Sequence, residues 1–122
     1  PMVQGKNLME IADKAEYLVD MVGLNGFEDK YPHQLSGGMQ RRAELIRALI
    51  NEPKVLLMDE PFRGLDAMTR QIMQEYIIKV FESTGVSILF ITAELEEAIF
   101  LGDKAYFLTV RPAVVKKEMP ID

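Results

Sequence analysis

Val55-Leu56-Leu57-Met58 is a run of four apolar residues with no alternation, and it ends abruptly in Asp59-Glu60-Pro61. A short continuous apolar run suits a strand covered on both faces, as in a parallel sheet flanked by helices. The flanking segments suit the same architecture. Residues 67–82 carry Ile72, Met73, Tyr76, Ile77, Val80 and Phe81 on one helical stripe, with Asp66 placed to cap the first turn. Thr84-Gly85 reads as a turn, Val86 to Ile91 as a second buried strand, and residues 94–101 as a short helix whose acidic start suits the positive end of its dipole. Lys104 to Val110 reads as a third strand broken by Pro112, and Val114 to Met119 as a candidate fourth. Strand, helix, strand, helix, strand predicts an α/β fold with a mostly parallel sheet.

Two helices precede that pattern. Leu8, Ile11, Ala12, Ala15, Leu18, Val19 and Val22 recur at helical spacing over residues 7–22, and Gly23, Asn25 and Gly26 end the helix. After a loop containing Pro32, a second helix runs from near Ser36 to about Ile50, stopped by Asn51-Glu52-Pro53. These residues are expected to form a separate lobe, with the boundary near residue 52.

Composition narrows the function classes. A chain of 122 residues is enough for one compact domain and not two. The net charge of −5 argues against a nucleic-acid partner held by a broad basic face. With no cysteine there is no disulfide framework or thiolate metal site, and the single histidine, His33, cannot build a metal site alone. No apolar run approaches the roughly 20 residues needed to cross a bilayer, and Pro1-Met2-Val3-Gln4-Gly5-Lys6 lacks a signal-peptide core. Pro1 ahead of Met2 points either to a chain cut from a longer one or to a cloning remnant.

Two motifs carry chemistry. In Leu35-Ser36-Gly37-Gly38-Met39-Gln40 a serine and two glycines open a helix. Free helix N–H groups, a favourable dipole and close backbone approach make this a candidate phosphate site; an N-cap serine followed by flexible glycines is the commoner reading of these residues alone. At Asp59-Glu60 a strand delivers two carboxylates to its C-terminal end, where open α/β sheets bind ligands. The first carboxylate can serve Mg²⁺ through water and the second can position or deprotonate an attacking water, although two solvated acids at a strand end are common.

The combination is more specific than either part. Leu35-Ser36-Gly37-Gly38-Met39-Gln40-Arg41-Arg42, then Arg47-Ala48-Leu49, then Leu56-Leu57-Met58-Asp59-Glu60-Pro61-Phe62 and Gly64-Leu65-Asp66, resembles the ATP-binding cassette (ABC) family of transporter ATPases in order and spacing. The tail, Glu96-Glu97-Ala98-Ile99-Phe100-Leu101-Gly102-Asp103 with Arg111-Pro112, is similar to the importers for nitrate, sulfonate, taurine and related anions. The resemblance implies a partial P-loop NTPase fold. Residues 1–52 would be part of the helical signature subdomain and 53–122 the C-terminal part of the α/β ATPase core. It implies a head-to-tail dimer with a second cassette and two ATP molecules between the subunits. Ser36, Gly37, Gly38 and Gln40 would then meet nucleotide bound mainly by the partner, Asp59 would serve Mg²⁺, Glu60 would be the catalytic carboxylate and Asp66 would cross the interface as the D-loop. Arg42 and Arg47 would be structural or interface groups. Transmembrane permease subunits would hold the protein at the cytoplasmic face of the membrane, with no nucleic acid involved.

Two departures qualify these expectations. No G-x-x-x-x-G-K-[ST] phosphate loop occurs in the chain, and that loop supplies most of the grip on ATP phosphates. The family's strand-end histidine is replaced by Ala93 in Ile91-Thr92-Ala93-Glu94, and His33, just before the signature, does not substitute for it. The chain alone is therefore expected to be inactive. The rival reading is a natural half-cassette that donates its signature loop as a regulator of an intact partner; a third, a non-transport ABC protein, fits the Arg111-Pro112 tail less well. The gap left by the phosphate-loop strand, expected between residues 86–91 and 104–110, favours self-association of the chain.

Overall fold

The computed structural model describes residues 7–122; the N-terminal hexapeptide, read above as lacking a signal-peptide core, lies outside the described residues. The elements run α1 (Leu8–Met21), a single 3-10 turn (Pro32–Gln34), α2 (Gly37–Leu49), β1 (Val55–Asp59), α3 (Ala67–Thr84), β2 (Ser87–Ile91), α4 (Leu95–Leu101), β3 (Lys104–Leu108) and β4 (Val115–Pro120). The chain divides into two compact units, one ending at Phe90 and one spanning Ile91–Asp122.

In the first unit each helix begins where a short polar side chain can serve orphan N–H groups. Asn7 accepts from Met9 N at 3.2 Å, Ser36 from Met39 N at 3.2 Å and Asp66 from Thr69 N at 2.9 Å. α1 ends through Gly23, left-handed at φ 68°, and α3 through Gly85, left-handed at φ 65°. The three helices pack together around Leu18, Val22, Leu45, Leu49, Met73 and Val80, all buried. Arg42 links them. Its Nη1 donates to Val22 O at the end of α1 at 2.9 Å, and its guanidinium lies 5.0 Å over the Tyr76 ring of α3. A side chain at Gly23 would collide with the Tyr76 hydroxyl, so that turn needs glycine for space as well as for backbone. Arg42 is thus a structural group. Arg47 is exposed in the last turn of α2, where its charge suits the negative end of the dipole.

β1 and β2 form a two-stranded parallel sheet joined by α3. The expectation of strands buried on both faces is corrected here. Along β1 only Leu56 is buried, while Val55 and Leu57 are exposed. Along β2 burial alternates, with Leu89 and Ile91 exposed and Ile88 and Phe90 half-buried. Side chains alternate between the two faces of a strand, and the described residues of this chain cover only one of them. An unbroken apolar run reports what the strand can tolerate and not what covers it. The stripe on α3 is likewise divided: Met73, Ile77 and Val80 are buried, but Ile72 and Phe81 are exposed.

In the second unit β3 and β4 form an antiparallel pair, Lys104 opposite Pro120 and Tyr106 opposite Glu118, with an irregularity after Phe107. The expected fourth strand is present, and this sheet is antiparallel, unlike the other. Lys104 Nζ meets Glu118 at 2.7 Å, which raises the lysine's pKa. Thr109 closes the connecting loop: its hydroxyl donates to Pro112 O at 2.9 Å and accepts from Val114 N at 3.1 Å. β2 pairs with β1, and β3 with β4.

Candidate functional site

The start of α2 is built by Ser36. Its backbone is extended (φ −65°, ψ 163°), its hydroxyl oxygen accepts from Met39 N, and its carbonyl accepts from Gln40 N at 2.9 Å. The N–H groups of Gly37 and Gly38 make no hydrogen bond among the described residues. The serine hydroxyl can still donate, since its cap uses only a lone pair. Three donors at the positive end of a 13-residue helix are suited to an anion. Gln40 is committed elsewhere: its Nε2 donates to Pro32 O at 2.6 Å and to Leu35 O at 3.3 Å, fastening the loop that leads into the helix.

The two glycines differ. Gly37 is exposed, and a Cβ there would meet nothing within 4 Å. Gly38 is buried, and a Cβ there would lie 2.6 Å from Thr69 Cγ2 on α3. The start of α2 therefore abuts the start of α3. Asp66 caps the latter with both carboxylate oxygens, Oδ1 accepting from Thr69 N and Oδ2 from the Thr69 hydroxyl at 2.8 Å. Those bonds hold the Asp66 carboxyl below its usual pKa. The sequence motifs at 36–38 and at 66 are thus neighbours within one unit.

At the end of β1, Asp59 is exposed and Glu60 is about one-third exposed. Glu60 has φ 43°, the left-handed region, although it precedes Pro61, a neighbour that ordinarily drives a residue towards extended backbone. A non-glycine residue held there costs on the order of 1–2 kcal/mol of local conformational energy. Glu52, which precedes Pro53, shares the conformation at φ 53°. The turn after Glu60 is anchored by Phe62, which is 1% exposed, and closed by Arg63 N donating to Glu60 O at 3.1 Å. Two cations stand beside the acids: Arg41, Asp59, Glu60 and Arg63 line one open concavity, and Arg63 Nη1 lies 3.0 Å from Glu60 Oε2. Neither Arg41 nor Arg63 was singled out by the motif reading. The available signal was Arg63's position three residues after a carboxylate that opens a turn.

Ala93 lies in the second unit, exposed, in a bend fastened by its neighbours. The Thr92 hydroxyl donates to the buried Glu97 at 2.6 Å and accepts from Glu94 N at 3.0 Å. The methyl of Ala93 offers no donor. His33 is exposed and stacks on Tyr31, its ring centroid 5.8 Å away.

Among the described residues no group of three or more metal-ligating side chains could enclose a metal ion. Asp59 with Glu60 suits instead the habit of Mg²⁺, which takes one or two carboxylates and completes its shell with water and phosphate oxygens.

Cassettes of ABC transporters are among the solved structures with a similar backbone arrangement. The dimeric ATP-binding cassette MJ0796 matches with a TM-score of 0.75 and 28% identity, over 97% of this chain and 50% of that one. CbiO1 of Clostridium perfringens, part of an ABC transporter complex, matches with a TM-score of 0.78 and 26% identity, over 84% of this chain and 41% of that one. The fold is accordingly a partial P-loop NTPase fold of the ABC-ATPase type. The model of the ABC transporter family matches residues 2–63, and the chain belongs to that family. The nitrate import ATP-binding protein NrtD of Synechocystis is 45% identical over 120 residues, which is 98% of this chain and 45% of that protein. The taurine import ATP-binding protein TauB of Jannaschia is 42% identical, over 97% of this chain and 44% of that one. The chain spans less than half the length of these curated relatives.

Proposed function

We propose that the chain is the C-terminal part of the ATP-hydrolysing subunit of an ABC importer for a small anion such as nitrate, a sulfonate or taurine. In this reading residues 1–52 belong to the helical signature subdomain and 53–122 to the ATPase core. The observation that carries the proposal is the placement, within one compact unit, of the Ser36-Gly37-Gly38 donor cluster, the Asp59-Glu60 carboxylates and the Asp66 cap. The names of relatives supply the solute class.

Each residue has a task that its geometry allows. Ser36 Oγ and the N–H groups of Gly37 and Gly38 donate to the terminal phosphate of a nucleotide gripped by a second cassette subunit. Asp59 would serve the Mg²⁺ site, where the ion, when bound, would neutralise phosphate charge. Glu60 accepts a proton from, or orients, the attacking water. Asp66 holds the start of α3 against the signature glycine. Permease subunits would keep such a subunit at the cytoplasmic face of the membrane, and no helix among the described residues is long and apolar enough to cross it.

Expected outcomes follow from the division of labour. The 122-residue chain should bind Mg-ATP weakly by calorimetry and release no phosphate at millimolar ATP; turnover that disappears with Glu60→Gln would overturn this. In a full-length subunit, Glu60→Gln should abolish turnover while preserving ATP-stabilised dimers, because it removes a group needed for hydrolysis and not for binding. Ser36→Arg should block dimer closure by filling the phosphate position. Parental rates in both variants would show that these loops are misassigned.

A further inference from the structure

Glu60 is the one carboxylate of the site whose side chain is already engaged by a cation within its own turn. The turn that carries both partners is fixed at several points. Glu60 is held left-handed at φ 43°, Phe62 is buried to 1% exposure, Gly64 is left-handed at φ 78°, and the backbone closes through Arg63 N to Glu60 O at 3.1 Å and Leu65 N to Phe62 O at 3.3 Å. Side chains on so constrained a turn have few ways to meet, and Arg63 Nη1 meets Glu60 Oε2 at 3.0 Å. The other guanidinium in the concavity, Arg41, is drawn at 3.7 Å to Glu44 on its own helix. Among the described residues, Glu60 thus has Oε2 against a cation and no hydrogen bond to Oε1.

We propose that Arg63 is a positioning residue for Glu60. It holds the carboxylate in one rotamer through Oε2, so that Oε1 is presented to a water in a fixed direction. The inference rests on the reading of Glu60 as the water-orienting carboxylate, and it deepens that reading by naming what aims the group. An exposed ion pair of this kind contributes little to stability, and Arg63 is 78% exposed. Its effect is geometric: a catalytic group left to sample several rotamers loses rate through misplacement and leaves substrate affinity alone. Arg63 touches neither water nor nucleotide in this account.

The test has two arms. In the 122-residue chain, NMR couplings about the Glu60 χ1 bond should report a single rotamer; Arg63→Ala should average them and Arg63→Lys should largely preserve them. Unchanged couplings in Arg63→Ala would overturn the clamp, whatever the function of Glu60. In a full-length subunit, Arg63→Ala should lower kcat roughly two- to fivefold with KM for ATP unchanged, and Arg63→Lys should restore most of the loss. An unchanged kcat, or a shift confined to KM, would overturn the positioning role. Glu60→Gln is the control that separates the two claims. Retained turnover there would remove Glu60 from the chemistry while leaving the rotamer measurement to judge Arg63.

Discussion

Replacing Gly38 with alanine should destabilise the chain, whereas the same change at Gly37 should not. An added Cβ at Gly38 falls 2.6 Å from Thr69 Cγ2, and one at Gly37 meets nothing within 4 Å. Thr69 cannot readily turn its methyl aside, because its hydroxyl is bound to Asp66 Oδ2 at 2.8 Å and its N–H to Oδ1 at 2.9 Å. Overpacking a tight contact costs about 1–3 kcal/mol, and alanine in place of glycine in a helix returns at most about 1 kcal/mol. With the full return, the net loss for Gly38→Ala is up to about 2 kcal/mol. Gly37→Ala lacks the collision and should leave stability unchanged or raise it by up to about 1 kcal/mol. Thr69→Ser removes the offending methyl and keeps the hydroxyl for Asp66. In a double-mutant cycle measured by urea unfolding, Gly38→Ala with Thr69→Ser should recover about 1 kcal/mol of coupling. Equal stability of the two alanine variants, or no coupling with Thr69→Ser, would refute the steric account. The pair also separates packing from ligand binding: a loss of ATP-dependent dimerisation in stable Gly37→Ala would have to come from the ligand side.

Asp66 should leave a pH signature. Its folded pKa is depressed by the bonds from Thr69, so its contribution is fully present above the unfolded value of 3.8 and is lost as pH falls through the lower folded value. The urea midpoint of the parent should accordingly drop more steeply in that acid window than that of Asp66→Asn, which keeps a capping side chain and cannot titrate; parallel profiles would refute it. The chain should also self-associate at micromolar concentration, through the face of the β1–β2 sheet that exposes Val55, Leu57 and Leu89. Light scattering should show a species larger than a monomer, dispersed by Leu57→Lys, and a clean monomer would defeat this.

Sequence reading located most of the helices because their boundaries are local chemistry. Ser36 and Asp66 announce the starts of α2 and α3 as side chains that can serve orphan N–H groups, and both do so. Gly23 and Gly85 announce ends, and both are left-handed. The strands were found for the same reason, but their environment was not. Leu56 and Leu57 are the same residue type in the same run, yet one is buried and the other 72% exposed. Only the partner surface distinguishes them, and no local pattern encodes it. Gln40 has a local task as well, its amide fastening the Pro32–Leu35 loop.

Two kinds of constraint overlap on the signature glycines, and separating them changes what the motif means. Gly38 is required by Thr69 before any ligand is considered, so its presence is a fact about helix packing. At Gly37, by contrast, an added Cβ would meet nothing within 4 Å, so no packing contact within the chain requires glycine there. The same logic applies at the end of β1. The left-handed backbone of Glu60 ahead of Pro61 runs against local preference, and its energetic cost is offset by the rest of the turn, which seats Phe62 in the core. A helix start with spare donors and a strained turn with a tethered carboxylate are both positions where local stability alone would have selected other residues. Their coexistence in one unit supports the proposed division of labour, in which the helix-start donors face a phosphate and the carboxylates a metal and a water.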